Sequence, residues 1–114
     1  MAKRKEHLSQ EYIKIRILAY LYNRPLGANS YTIQHRANIP VQEFNRFRGF
    51  LEDLCQLACL EKNEEETGGI KMRINYIITE KGKEIVNRYR DPFLQEIFGP
   101  IDDLFDAKDD SKYY

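Results

Sequence analysis

The segment MRINYIITEKGKEIV, residues 72–86, changes its hydrophobic period in the middle. Over residues 72–76 apolar and polar side chains alternate, which is the period of a strand that buries one face. From Thr79 onward the spacing is helical, and Ile85 and Val86 fall on the apolar side. Threonine is a preferred N-cap, so the pattern predicts a strand that passes directly into a helix at Thr79.

A charged hairpin is predicted just before this junction. Residues 60–63 fit a short outgoing strand, and residues 70–78 fit the return strand. Residues 64–69 are polar and end in a Gly-Gly pair, which predicts the hairpin tip because glycine accepts positive φ angles. The alternation places Lys71 and Arg73 on the outward face of the return strand.

The first helix is predicted to begin at Ser9 and to end near Tyr22. Pro25 cannot continue a helix, and Gly27 suits the turn that follows. A short extended piece is expected at residues 28–29.

Two more helices follow, separated by a tight break. Ser30 is the expected N-cap of a helix over residues 31–37. Asn38 tolerates the left-handed conformation at a helix end, and Pro40 opens the next helix without losing a needed N–H group. The third helix is predicted over about residues 41–58.

The third helix is amphipathic. Its apolar arc consists of Phe44, Phe47, Leu51, Leu54, Cys55 and Ala58, and is widened by Phe50 and Leu57. Its opposite face consists of Gln42, Asn45, Arg46, Gly49, Glu52 and Asp53, with Arg48 at the edge.

The order of these elements predicts the fold class. A helix, a helix-turn-helix, a hairpin and a closing helix give an α+β fold that is mostly α. It is a winged helix-turn-helix with a three-helix core, a two- to three-stranded wing and C-terminal helices. We expect a flexible basic arm at residues 1–8, the winged-helix domain at 9–90, an amphipathic helical extension at 91–106 and a disordered acidic tail at 107–114.

Charge is unevenly distributed although the 114-residue chain has a net charge of zero. Residues 1–50 carry nine Lys and Arg against three Glu, a net charge of +6, and the remainder carries −6. Such a field can steer and orient a polyanion, or it can reflect two solvated surfaces that have no partner. No apolar run approaches the ~20 residues needed to cross a bilayer. The expected location is therefore cytoplasmic, and it is nucleoid-associated if the chain binds DNA.

Catalysis and cofactor binding find little support in the sequence. His7 and His35 are far apart and belong to no nucleophile, metal or phosphate-loop motif. Cys55 and Cys59 fit two small buried thiols on one helix face better than a zinc site. We expect no enzymatic activity, no cofactor, no metal and no small-molecule ligand.

A DNA-binding surface is predicted from three features. The third helix presents long donors near its start, as a helix in the major groove requires, and Gly49 leaves room for the backbone. The hairpin offers cations for phosphate, and a basic arm either clamps flanking phosphates or only aids solubility. The predicted contacts are Gln42, Asn45, Arg46, Arg48, Gly49, Gln34, His35, Arg36, Lys62, Lys71, Arg73, Lys3, Arg4 and Lys5.

Three pieces of the sequence resemble the archaeal winged helix-turn-helix regulators, a group that includes small dimeric chromatin proteins. They are TIQHRANI at 32–39, the span 47–60, and YIITEKGKE at 76–84. The last piece recurs in many winged helices, so it specifies the fold more sharply than the subfamily. The resemblance spans residues 9–90 and implies double-stranded DNA binding through the third helix and the wing, usually as a homodimer.

The chain departs from that family in two places. Cys59 stands where the family has a glycine before the first wing strand. Pro92 and Pro100 break the region where relatives often carry one long coiled-coil helix. A dimer would then form, with or without the first helix, through Phe93, Leu94, Ile97, Phe98, Ile101, Leu104 and Phe105.

Three functions remain open at the level of sequence, and the third, a non-specific chromatin packer, is less favoured than the other two because such proteins are usually clearly basic overall. The first is a sequence-specific transcriptional regulator, and the second is a winged helix that serves as a protein–protein interaction module in a transcription or assembly complex. Three consecutive glutamates at the predicted wing tip favour the second, because that tip either stands clear of a duplex or approaches another protein.

Overall fold

The computed structural model describes residues 9–39, 44–67 and 71–105, with the backbone alone described for residues 44, 65–67, 71–73 and 105. The described chain is α+β and mostly helical, with one two-stranded antiparallel sheet. In chain order the elements are α1 (Gln10–Tyr22), α2 (Ser30–Arg36), α3 (Phe44–Gln56), β1 (Leu60–Thr67), β2 (Lys71–Ile78), α4 (Glu80–Tyr89), α5 (Pro92–Phe98) and α6 (Asp102–Phe105).

The central helix is α1, which explains why it is apolar on nearly all sides. It packs against α2, α3, α4, α6 and β2, so no wide polar face remains. Its predicted start is confirmed, because Ser9 Oγ accepts a hydrogen bond from the backbone N–H of Tyr12 at 3.1 Å. Its buried residues are Ile13, Ile15, Arg16, Ile17, Leu18, Ala19, Tyr20 and Leu21.

The extended piece expected at residues 28–29 is present as a single bridge to the sheet. The N–H of Ala28 donates to the carbonyl of Tyr76 at 3.2 Å, and the N–H of Tyr76 donates back at 2.8 Å. Gly27 has a φ of 77°, and a Cβ built on it would lie 2.4 Å from Tyr76 O. The turn therefore needs glycine both for its conformation and for its close approach to β2.

The second helix begins one residue earlier than predicted. Asn29 is its N-cap, since Asn29 Oδ1 accepts from the N–H of Thr32 at 2.8 Å, and Ser30 is the first helical residue. The predicted left-handed residue is confirmed at Asn38, which has a φ of 59°. The N–H of the next residue, Ile39, donates to Gln34 O at 3.0 Å, so α2 ends as in a Schellman motif.

The third helix ends earlier than the predicted residue 58. It stops at Gln56, and Ala58 adopts a left-handed φ of 65°. The N–H of Cys59 donates to Leu54 O at 2.9 Å, so α3 ends in the same type of motif as α2. Cys59 thus lies beyond the helix and not on its face, although it is buried as predicted. Residues 40–43, which include the predicted start of this helix, lie outside the described residues.

The outgoing strand of the hairpin is longer than the sequence suggested. The first strand continues to Thr67, and Glu64, Glu65 and Glu66 pair with Ile74, Arg73 and Met72. The prediction that these glutamates form the hairpin tip was wrong, because the ladder extends four residues past Asn63. Residues 68–70 lie outside the described residues.

The predicted junction at Thr79 is confirmed. Thr79 Oγ1 accepts from the N–H of Gly82 at 3.1 Å and donates to Ala58 O at 2.6 Å, so it caps α4 and ties it to the end of α3. A Cβ on Gly82 would lie 2.6 Å from Cys59 O, so glycine allows α4 to approach that backbone closely.

The C-terminal helices separate into a buried piece and an exposed one. Ile101 and Leu104 are 0% and 3% exposed and belong to the core of this chain. Phe93 and Ile97 of α5 are 65% and 56% exposed. The predicted dimer role is therefore corrected for Ile101 and Leu104, which are already covered, while nothing is described for the side chain of Phe105. Within the described ranges, no helix has both the length and the apolar character to cross a membrane.

Candidate functional site

The outer face of α3 presents polar side chains on its first described turns. Asn45, Arg46 and Arg48 are exposed, whereas Phe47 and Phe50 are buried on the opposite side. The guanidinium carbon of Arg46 lies 5.4 Å from the centroid of the Phe50 ring. The long Arg46 stem thus lies along the edge of the core while its charged head group stays at the surface.

Gly49 forms an open spot in the middle of this face. A Cβ built on Gly49 would meet no heavy atom within 4 Å. Glycine costs helix stability relative to alanine, and no packing within the described structure requires it here. The spot is therefore available to a closely approaching partner.

The two acids farther along α3 are each held by a lysine from another element. Glu52 Oε2 lies 2.8 Å from Lys62 Nζ of β1, and Asp53 Oδ2 lies 3.5 Å from Lys14 Nζ of α1. The hydrogen bond to Glu52 raises the pKa of Lys62 above its usual value. These pairs offset the negative charge that would otherwise oppose a polyanion near Arg46 and Arg48.

Lys62 lies on β1, the outgoing strand of the hairpin. It pairs in register with Tyr76, a residue of the buried face, and its ammonium group is engaged by Glu52. Lys62 is therefore exposed on the outgoing strand, as predicted, but its ammonium group is already paired with Glu52 of α3.

The predicted residues of α2 are also divided between surface and core. His35 is exposed, and its ring centroid lies 4.3 Å from that of Tyr31. Arg36 is half-buried. Gln34 is only 6% exposed, which removes it from the candidate surface, because α2 turns that position toward the core.

A cleft of about 360 Å³ joins α3 to the hairpin. Arg48, Gly49 and Glu52 line one side, and Ile74 and Tyr76 of β2 line the other. Burial raises the pKa of the Tyr76 phenol, so this wall stays uncharged at neutral pH. The exposed face of α3 and the hairpin thus form one continuous surface with a groove between them.

The basic residues of β2 have acidic or neutral neighbours across the ladder. Arg73 pairs in register with Glu65, and Lys71 pairs with Thr67. The side chains of residues 65–67 and 71–73 lie outside the described part. So do the remaining predicted contacts, Lys3, Arg4, Lys5 and Gln42.

The described part of the chain holds no cluster of metal-ligating side chains, and its two thiols are buried or half-buried. No three His, Cys, Asp or Glu residues in that part of the chain are grouped as metal ligands. Burial raises the pKa of both Cys55 and Cys59, so at neutral pH they are protonated thiols and poor nucleophiles.

Lys14 and Arg16 of α1 support the elements that form the site, although the sequence predicts no role for them. Lys14 pairs with Asp53, and its Nζ lies 5.4 Å from the Phe50 ring centroid. Arg16 donates from Nε to Ala37 O at 2.7 Å, just before the turn that leads toward α3. Two cations within an otherwise apolar helix were the available sequence feature, since a cation in such a helix needs a partner.

Comparison of the chain with protein-family models, with curated proteins and with solved structures gives no match.

Proposed function

We propose that the chain is a winged helix-turn-helix protein that binds double-stranded DNA as a sequence-specific, homodimeric transcriptional regulator. In this proposal α3 lies in the major groove and the β1–β2 hairpin lies along the backbone. The observation that carries it is the α3 face itself. Asn45, Arg46 and Arg48 are exposed around an open Gly49, with the following acids already paired to lysines.

The proposed roles follow from side-chain chemistry. Arg46 and Asn45 can form bidentate hydrogen bonds with guanine and adenine edges respectively, each worth about 1–3 kcal/mol of discrimination. Arg48 lines the groove beside the hairpin, which suits a phosphate at the edge of the major groove. His35 and Arg36 of α2 would contact the neighbouring phosphate backbone of the duplex.

We assign the β1–β2 hairpin a smaller role in DNA binding than a fully basic wing would have. Arg73 stands opposite Glu65 across the ladder, so the net charge of that pair is zero. Lys62 is held by Glu52. The hairpin therefore contributes few phosphate contacts, and α3 supplies most of the affinity.

The direct test is the fluorescence anisotropy of a labelled duplex, measured over a range of salt concentrations. A random-sequence duplex pool is first used to select the tightest binders. We expect the logarithm of the binding constant to fall steeply with the logarithm of salt, and Arg48→Ala to reduce that slope by about one unit. Arg46→Ala should cost about 1–3 kcal/mol on the selected duplex and much less on an unselected one.

A matched control is available on α4. Arg88 is exposed on α4, so Arg88→Ala changes net charge equally without touching α3. It should leave both slope and preference unchanged. A response of the wild-type chain that is flat in salt, or a selection that enriches no sequence, contradicts the proposal.

A protein–protein interaction module is the second candidate, and the α5 surface favours it. Phe93, Ile97 and Phe98 are 65%, 56% and 45% exposed on one seven-residue helix. A mass measurement in solution separates the possibilities. Phe93→Ser with Ile97→Ser should convert a homodimer to a monomer if α5 serves self-association. A wild-type chain that is already monomeric and retards no duplex at low salt supports the interaction module instead.

A further inference from the structure

A second surface feature lies apart from the exposed face of α3. It is a cleft of about 450 Å³ between the end of α1, the start of α2 and β2. That volume is within the range typical of small-molecule sites. We propose that this cleft binds a small organic anion, namely a carboxylate that carries a compact apolar body.

The positive charge of the cleft comes from Arg24, which is held in a fixed orientation. Its guanidinium carbon lies 4.2 Å from the centroid of the Tyr20 ring, and its Nη1 donates to Tyr20 O at 3.4 Å. Tyr20 is only 2% exposed, so the ring is a rigid support. Stacking of this kind holds the planar guanidinium in the geometry that matches a carboxylate.

The apolar wall is supplied by a tight turn. The N–H of Gly27 donates to Arg24 O at 2.9 Å, so Pro25 and Leu26 occupy its two central positions. Leu26 is 83% exposed, which leaves a large apolar side chain at the rim. Pro25 and the bridge from Ala28 to Tyr76 keep the turn rigid, so a ligand would not have to order it.

The carboxamide side chains of Asn29 and Asn75 complete the lining of the cleft. The Asn29 Oδ1 accepts from the N–H of Thr32 at 2.8 Å, so its NH₂ group is directed away from that bond and serves as a donor. Asn75 of β2 lies on the opposite wall. An arginine, two carboxamides and an apolar rim suit an anion with an apolar body, whereas a cation would meet Arg24.

The sequence predicts no small-molecule ligand, because these residues are scattered along it. They come from the 23–29 turn, from α2 and from β2, and no motif joins them. Only the pairing of Ala28 with Tyr76 brings the turn beside Asn75. Binding in this cleft does not depend on the proposed DNA binding, and the protein alone is enough to test it.

The experiment is an amide-detected NMR titration of the full chain with hexanoate and with benzoate. The uncharged hexanamide and benzamide serve as the matched pair for charge. We expect saturable shifts at the backbone amides of Leu26, Asn29, Thr32 and Asn75, with a Kd on the order of 1 mM. Each acid should bind at least about tenfold more tightly than its amide.

Substitutions of cleft residues test whether the acids bind in this cleft. Arg24→Gln should weaken binding of the acids about tenfold, and Asn75→Asp should weaken it similarly by adding a negative charge on the opposite wall. Arg88→Gln removes the same net charge from α4 and should change nothing. Asn75→Asp provides a second reading in case Arg24→Gln perturbs the fold.

Several outcomes overturn the proposal. One is the absence of localised shifts with both acids at about 10 mM, which is well above the expected Kd. Another is equal affinity for acid and amide. A third is an Arg88→Gln effect as large as that of Arg24→Gln, since that would show a response to overall charge and not to this cleft.

Discussion

The guanidinium of Arg16 in α1 donates from Nη2 to Asp103 Oδ2 of α6 at 2.8 Å. The same guanidinium donates to Ala37 O at 2.7 Å and to the Tyr12 hydroxyl at 2.8 Å. Burial alone would lower the pKa of Arg16. The hydrogen bonds and electrostatic interactions with Asp103 and Tyr12 together raise that pKa by more, so the net shift is upward. One buried cation thus connects the C-terminal segment to the end of α2.

The first prediction concerns this connection. Asp103→Ala removes the partner of a buried guanidinium and should lower the free energy of unfolding by about 1–2 kcal/mol, the range being kept low because Asp103 is half-exposed. Asp102→Ala is the control, since Asp102 is an exposed acid on the same helix. Urea unfolding followed by circular dichroism measures both. Equal losses for the two variants would show that the ion pair contributes nothing specific.

Local sequence patterns were sufficient to predict the helices, the left-handed turn at Asn38 and the Thr79 cap. Each depends on residues close together in the chain, such as Thr79 and Gly82. The length of β1 was missed because three glutamates resemble a loop. In the structure these three glutamates belong to β1 and pair with residues 72–74 of β2.

The candidate site was less predictable because its electrostatics depend on distant residues. Helical spacing placed Asn45 and Arg46 on the outer face of α3 correctly. The pairing of Asp53 with Lys14 joins residues far apart in sequence, and no local pattern predicts it. The burial of Ile101 was missed for the same reason, since it follows from docking of the C-terminal segment on α1.

The second prediction concerns alkaline pH. Burial raises the pKa of Cys55 and Cys59 above 9.0, and that of Tyr76 and Tyr89 above 10.0. Because the folded state holds these protons more tightly than the unfolded state, their stabilising effect is complete below the unfolded pKa values. It is lost as pH rises through the folded values. The urea midpoint should therefore begin to fall near about pH 8.5, where unfolded cysteine titrates, and continue to fall above about pH 10, where unfolded tyrosine titrates.

Tyr89→Phe provides the control for this titration. The Tyr89 hydroxyl donates to Gly99 O at 2.8 Å, so the variant loses one hydrogen bond at all pH values. It should be less stable at neutral pH and show a shallower alkaline decline. A wild-type midpoint that rises with pH over this interval is the result that contradicts the assignment.

The third prediction concerns Ala58, which has a left-handed φ of 65° at the end of α3. This conformation strains any residue with a Cβ, and Ala58 is exposed, so its methyl group adds little packing. Ala58→Gly should raise the free energy of unfolding by about 0.5–1 kcal/mol. Ala37→Gly is the opposite case, because Ala37 is fully buried with a φ of −87°, and it should destabilise the chain. A loss of stability in Ala58→Gly would argue against the strain.

The last prediction separates folding from function at Gly49. A Cβ at this position meets no heavy atom within 4 Å, so Gly49→Ala should stabilise α3 by about 0.5–1 kcal/mol. If α3 lies in the major groove, the added methyl group comes between helix and duplex. Binding of the selected duplex should then weaken severalfold, or about 1 kcal/mol.

Gly82→Ala is the matched control for the stability half of this experiment. Its Cβ would lie 2.6 Å from Cys59 O and 2.8 Å from a side-chain carbon of Ile78, so the variant should be destabilised. Urea unfolding and duplex anisotropy are measured on both variants at a temperature well below their unfolding transitions. A Gly49→Ala variant that is more stable and binds the duplex with unchanged affinity and salt slope would place the DNA contact elsewhere than on α3. A variant that is more stable but binds less tightly supports the proposed interface, because improved folding alone cannot weaken binding.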